Sequence, residues 1–137
     1  MADLQDAIAY VQTLVRQIPG IKAAPDYPPE QLEPFPFAAT FAGSGTWEFG
    51  PAGIKKGLHT IKLELHVARV DLPHDVEAAM VYSDSIPGKL MADPTLGGNV
   101  STFSGIRYEF GPIGWNGLAT VGFKFFVENV KMESEIT

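Results

Sequence analysis

A chain of 137 residues, 45% of them hydrophobic and 19% charged, is long enough to fold as one domain around its own core. Its net charge of −6, from 16 acidic against 10 basic side chains, argues against a nucleic-acid grip, which needs a basic face. The absence of cysteine excludes disulfides, thiolate metal sites and cysteine nucleophiles.

Leu4, Ile8, Val11, Leu14, Val15 and Ile18 recur at helical spacing, which predicts an amphipathic helix over 3–18. Gln5, Asp6, Gln12, Arg16 and Gln17 lie off that stripe. Asp3 is placed to cap the helix, and Pro19-Gly20 to stop it. No basic-then-apolar leader opens the chain, and no apolar run approaches the ~20 residues of a membrane span, so a soluble protein with no membrane partner is expected. Residues 21–36 carry Pro25, Pro28, Pro29, Pro34 and Pro36. Proline fixes φ and holds its predecessor extended, so this stretch reads as a stiff connector within a single domain, 1–137. Phe35 and Phe37 flank Pro36 and are expected to anchor its end in the core.

Residues 37–41 read as a short strand, broken by Gly43-Ser44-Gly45 and resumed at 46–49. Over 58–67, Ile61, Leu63, Leu65 and Val67 point one way and Lys62, Glu64 and His66 the other, which leaves one face wet or against a polar partner. Leu72-Pro73-His74-Asp75 opens a second helix, with Val76, Ala79, Met80 and Ser83 turned inward. Pro87 either ends that helix near Ser85 or kinks it on the way to Met91. Asp93-Pro94 and Gly97-Gly98 mark a loop, 100–110 lead into a second hairpin, and 118–130 return. In the return strand Val121, Phe123, Phe125 and Val127 share a face opposite Thr120, Lys124 and Glu128. Phe126 interrupts the polar side, so that side is expected to be partly covered. The fold expected is α+β: a single antiparallel β-sheet with long hairpins, backed by two α-helices.

One phrase occurs twice. Trp47-Glu48-Phe49-Gly50-Pro51-Ala52-Gly53 is followed by Gly57-Leu58, and Tyr108-Glu109-Phe110-Gly111-Pro112-Ile113-Gly114 by Gly117-Leu118. Each copy is expected to end a strand, turn through its Gly-Pro loop and feed a long return strand. Tips carrying Ile54, Ile113 and Trp115 are costly to leave in water. With the strand-end aromatics Trp47, Phe49 and Phe110 and the basic pair Lys55-Lys56, they are the candidate subunit or partner contacts. The strand-end aromatics serve equally well as a minor core folding the loops back onto the sheet; for Ile113 and Trp115 contact with another chain is favoured.

Catalytic chemistry finds little support in the residues. His59 and His66 have opposite parity within one strand and cannot share a metal; with His74 at a helix entry, all three read as polar surface residues. Ser44 lies between strands and lacks the G-x-S-x-G elbow, so a bulge or turn is its expected role. The evenly spaced glycines of both echoes run from strand to strand, whereas a phosphate loop opens a helix. Glu48 and Glu109 occupy equivalent positions and would suit acid–base work as a pair, but nothing else suggests a cleft and a solvated polar face is their expected place; two lysines at Lys55-Lys56 are too few to hold DNA. No catalytic residue, metal ligand or cofactor is assigned, and an enzyme is not expected.

The order of elements resembles the tail terminator proteins of long-tailed bacteriophages. The resemblance rests on the Leu4-Gln5-Asp6-Ala7-Ile8 helix, the Phe35-Pro36-Phe37-Ala38 entry to the first strand, and the 58–67 strand passing through Leu72-Pro73 into the 75–85 helix. The Gly105-Ile106-Arg107-Tyr108 strand and the closing strand through Phe123 to Val127 complete it. It implies a structural protein of the virion, assembled in the host cytoplasm, whose hexameric ring caps the tail tube at its head-proximal end. Such a ring stops tube polymerisation and presents a face to the head-closure or neck proteins, while DNA passes through without specific binding. The nearest alternatives are another neck or tail component, such as a head-closure or tail tube protein, and a small ligand-binding α+β domain.

Overall fold

Two long antiparallel hairpins are joined by the pairing of their inner strands. In the computed structural model, which describes residues 2–136, β1 (Phe37–Phe49) and β2 (Ile54–Ala68) form the first hairpin. The second is β3 (Gly105–Trp115) with β4 (Leu118–Glu135), and β2 pairs with β4 to give the order β1-β2-β4-β3. Three helical segments, α1 (Leu4–Arg16), α2 (Leu72–Met80) and α3 (Tyr82–Met91), back one face, and α2 and α3 are the arms of one bent helix. The α+β architecture is the one expected.

The core lies between this helix face and the inner strands. Ile61, Leu63 and Leu65 of β2 pair with Val127, Phe125 and Phe123 of β4, and all six are buried beneath α1 and α3. Burying each such side chain contributes about 1.5–3 kcal/mol, which locks the register, because a one-residue slip would turn the whole set to the other face. The apolar stripe of α1 packs inward as the spacing predicts, and Asp3 with Asp6 forms a capping box at its start. Gln12 departs from its expected place off the stripe. It is buried, and its amide donates to the carbonyls of Pro25 and Ala38 while its carbonyl accepts from Thr40 Oγ1. This one side chain ties α1, the connector and β1 together.

The bend between α2 and α3 falls at Val81, and α3 continues through Pro87 to Met91. Restarting the helix at Tyr82 places Pro87 in the second turn, where only the bond to the Ser83 carbonyl is forgone. The bend also rotates Met80 outward, to 47% exposure, and hands the inward positions to Tyr82, Ile86 and Leu90.

Gly43-Ser44-Gly45 does not end β1. Ala42 pairs with Ile61 and Ser44 with Thr60, so Gly43 is a one-residue bulge. β4 has its own bulge at the same level, Glu128 and Asn129 opposite Thr60, with Asn129 at φ 53°. Two bulges flanking one β2 residue bend the sheet there, and beyond Phe41 every β1 residue is exposed.

The two echoes fold differently. The first is a hairpin tip as expected: Ala52 (φ 52°) and Gly53 (φ 78°) make a tight turn in which the Ile54 amide donates to the Pro51 carbonyl at 3.0 Å. In the second, Gly111-Pro112 lies inside β3, and the turn is Asn116-Gly117 (φ 49° and 84°). Where the first copy has Ala52, the second has Ile113, whose branched Cβ resists the left-handed region, and Asn-Gly three residues later is the favoured dipeptide for this turn. Pro112 is tolerated because β3 is an edge strand. Gly111 pairs with Gly122, where a Cβ would run into the Leu65 carbonyl oxygen. The hairpin curls past this pair and lays Trp115 over the face opposite the helices.

Ala52 has no side-chain reason to hold a left-handed conformation, which costs an L-residue about 1–2 kcal/mol. Ala52→Asn should therefore stabilise the protein by about 1 kcal/mol, a melting-temperature gain of roughly 3–5 °C by circular dichroism. An unchanged or lower melting temperature would contradict this turn.

Candidate assembly interface

At the β1–β2 tip, Trp47 pairs with Gly57 and Phe49 with Lys55, so Trp47, Phe49 and Lys55 all emerge on the helix side of the sheet, beyond the helices. Phe49 is 93% exposed and Trp47 41%, and Ile136, whose amide donates to the Gly53 carbonyl, adds a third apolar side chain beside them. The Lys55 ammonium sits 4.5 Å from the Trp47 ring centroid, a cation–π contact that fixes the indole. Ile54 is half-buried at the turn. Lys56 points to the opposite face, in a row with Glu48 and Glu133.

Beneath Trp47 lies His59. The two rings meet edge to face at 4.5 Å, and His59 packs so closely over Gly45 and Gly57 that a Cβ on either would collide with the imidazole. The residue is 5% exposed, and its Nε2 has no hydrogen-bond partner among the described residues. Burial disfavours the imidazolium and lowers the pKa of His59.

A second apolar surface occupies the opposite edge. Tyr108 and Phe110 of β3 lean on Phe123 with centroids 5.8 and 4.8 Å away, yet remain 62% and 39% exposed. On the other side of β3, the Arg107 guanidinium lies 4.0 Å over the Phe126 ring. Its Nε donates to Glu128 and its Nη1 to Glu109, leaving Nη2 without a partner among the described residues. This stacking accounts for the partly covered face foreseen at Phe126.

The remaining tip candidates, Ile113 and Trp115, are half-buried. Trp115 Nε1 donates to the Pro29 carbonyl at 2.9 Å, and the ring packs against Phe41 and His66. Asn116 donates to the Glu30 carbonyl, so the tip is fastened to the proline connector, and Ile113 is half-buried behind it. The structure thus brings Trp47, Phe49 and Lys55 together, leaves Ile54 at the same turn but on the face of Lys56, sets Phe110 on the far edge with Tyr108, and ties Trp115 to the proline connector. Tyr108 and Ile136 were not singled out from sequence, although Tyr108 is the echo's counterpart of Trp47.

Under Trp115, Thr120 Oγ1 lies 2.6 Å from His66 Nδ1, His66 Nε2 lies 2.9 Å from Glu64, and Glu64 reaches Lys62 at 3.4 Å. The order hydroxyl, imidazole, carboxylate has the form of a nucleophile relay, but Thr120 and His66 are both fully buried. In this conformation the network is closed to substrate and acts as a satisfied polar plug. Burial alone pushes the Glu64 carboxyl up, but the hydrogen bond and charge of His66, together with Lys62, hold it below its ordinary value. His59 and His66 do face opposite sides of the sheet, as their parity requires, but the surface placement expected for both is corrected: strand bulges and the curled tip bury them. His74 is exposed beside Asp71, as expected.

Among the described residues no cluster of His, Cys, Asp or Glu is arranged to hold a metal ion, and no helix is long and apolar enough to cross a membrane. No protein-family model matches this chain, and no curated protein matches it either.

Because the folded state holds the His59 pKa below the unfolded value, the unfolded chain binds the proton more readily. The stability from keeping His59 neutral is complete above about pH 6.5 and is lost as pH falls through the folded pKa. The unfolding free energy should fall between pH 7 and pH 5 by up to about 1.4 kcal/mol per pH unit, and His59→Gln should flatten that slope. An unflattened slope would assign the titration elsewhere. Glu64 contributes separately, below the ordinary carboxylate range.

Proposed function

We propose that this protein is a structural assembly subunit whose copies associate head to tail into a closed ring, and that the ring caps a phage tail tube. The observation that carries the reading is the presence of two unlike exposed apolar surfaces on opposite edges of one sheet. These are Trp47, Phe49 and Ile136 at the β1–β2 tip, and Tyr108 and Phe110 on β3. A two-fold dimer uses one patch twice, whereas a ring needs two different patches on opposite sides of each subunit. Aromatic side chains exposed to this degree are characteristic of surfaces that another chain covers.

The resemblance to tail terminators supplies the rest of the proposal: six subunits, one ring face on the end of the tail tube and the other toward the head-closure or neck protein, within the virion. A net charge of −6 suits a conduit through which DNA slides without being held. Added to growing tubes, the protein should bind only at their ends and halt elongation, as seen by negative-stain microscopy. Incorporation along the tube wall would instead identify a tube subunit.

Phe49→Glu gives a test independent of any partner. Because Phe49 is almost wholly exposed, the variant's unfolding free energy should lie within about 0.5 kcal/mol of the parent's. Its self-association, measured by sedimentation, should weaken at least about tenfold, or roughly 1.4 kcal/mol. Unchanged association would remove the tip from the interface.

A further inference from the structure

We infer that the β1 edge of one copy, residues 44–49, pairs antiparallel with the β3 edge, residues 105–110, of a second copy, with Glu48 opposite Arg107. This rests on the ring reading and specifies its interface. Both edges are available: β1 and β3 are the outer strands, and the outward backbone groups of these two stretches have no backbone partner among the described residues. The connector covers only the start of β1, where Ala38 donates to Ala23. An open edge of this length is a template for another strand.

The direction of the strands favours head-to-tail addition. Each neighbour in β1-β2-β4-β3 is antiparallel to the next, so the two outer strands run in opposite senses. A second copy placed in the same sheet, with its helices on the same side, therefore presents an antiparallel β3 to β1. Side chains then match by face. Trp47 and Phe49 continue the row of Ile106, Tyr108 and Phe110, while Thr46 and Glu48 continue that of Arg107 and Glu109.

Charge selects the register. With Trp47 opposite Tyr108, Glu48 meets Arg107, Phe49 meets Ile106, and Phe110 covers Gly45, an arrangement in which an aromatic ring shields a strand glycine. Glu48 has no ion-pair partner among the described residues, and Arg107 has its Nη2 unused. A shift of two residues one way puts Glu48 opposite Glu109, which is repulsive; the other way puts it opposite Gly105. The same register has a geometric consequence. Tyr108 lies in the row of Phe125 and Leu63, and Trp47 in the row of Gly57, six residues away along β2. An offset of about 20 Å across about 19 Å of sheet per subunit tilts the strands by about 45°, within the range of closed sheets.

The chain has no cysteine, so engineered pairs can be read without background. Thr46→Cys with Glu109→Cys, which the register places opposite each other, should form a ladder of disulfide-linked multimers under mild oxidation. Each single variant should stay monomeric on a denaturing gel. Thr46→Cys with Arg107→Cys, two residues out of register, should cross-link far less. Both positions are exposed, and circular dichroism checks that each variant folds. A strong dimer from Thr46→Cys alone would replace the inference with a two-fold β1–β1 contact, and better linking by the shifted pair would overturn the register. Failure of every pair in a chain that still sediments as a multimer would overturn edge pairing while leaving the ring. A parent chain that stays a single subunit would overturn both.

Discussion

The pairing of β2 with β4 is the constraint on which everything else depends. Its rows from Ile61 to Leu65 bury apolar side chains under α1 and α3, and the register is held by that burial. Once those two strands are central, β1 and β3 must be the edges, and with four antiparallel strands the edges must run in opposite directions. The exposed tip, the exposed edge aromatics and the polarity of the subunit all follow from this arrangement.

The molecule spends its covering elements unevenly. The connector, held by Gln12, closes the start of β1, and Trp115 closes the open face above His66 and Glu64. Beyond the paired bulges at Gly43 and Asn129, no described backbone group pairs with the outer side of β1, and the outer side of β3 over residues 105–110 is likewise unpaired among the described residues. Edges of this kind are usually blunted by charge, proline or irregular strands. Here Pro112 blunts only the far half of β3; the near half carries Arg107 and Glu109 on one face but exposes Tyr108 and Phe110 on the other. That is the pattern expected of edges that acquire a partner.

Most of the architecture was legible in the sequence because it is written in periodicity. The α1 stripe, the alternation through Ile61, Leu63 and Leu65, and that through Val121, Phe123 and Phe125 each follow from one element's own pattern. What was not legible depends on how elements meet. Gln12 and His66 are polar by local pattern and buried only because the connector and a curled hairpin reach them from distant positions. The second echo resembled the first in words, but the turn obeys φ preference, and Asn116-Gly117 outbid Gly111-Pro112. Trp115 looked like a free tip because its acceptor, the Pro29 carbonyl, is 86 residues away. Trp47, Phe49 and Phe110 were visible as candidates because aromatic residues beside a turn are unusual wherever they end up.

The central claim is that these edges make the chain an assembling subunit, and its most direct test is the mass in solution by light scattering across a wide concentration range. The account predicts a species that rises from 14.8 kDa to a fixed multiple above two subunits and then stops, as a closed ring must. A mass that stays at one chain up to millimolar concentration, or that levels off at two, would contradict it.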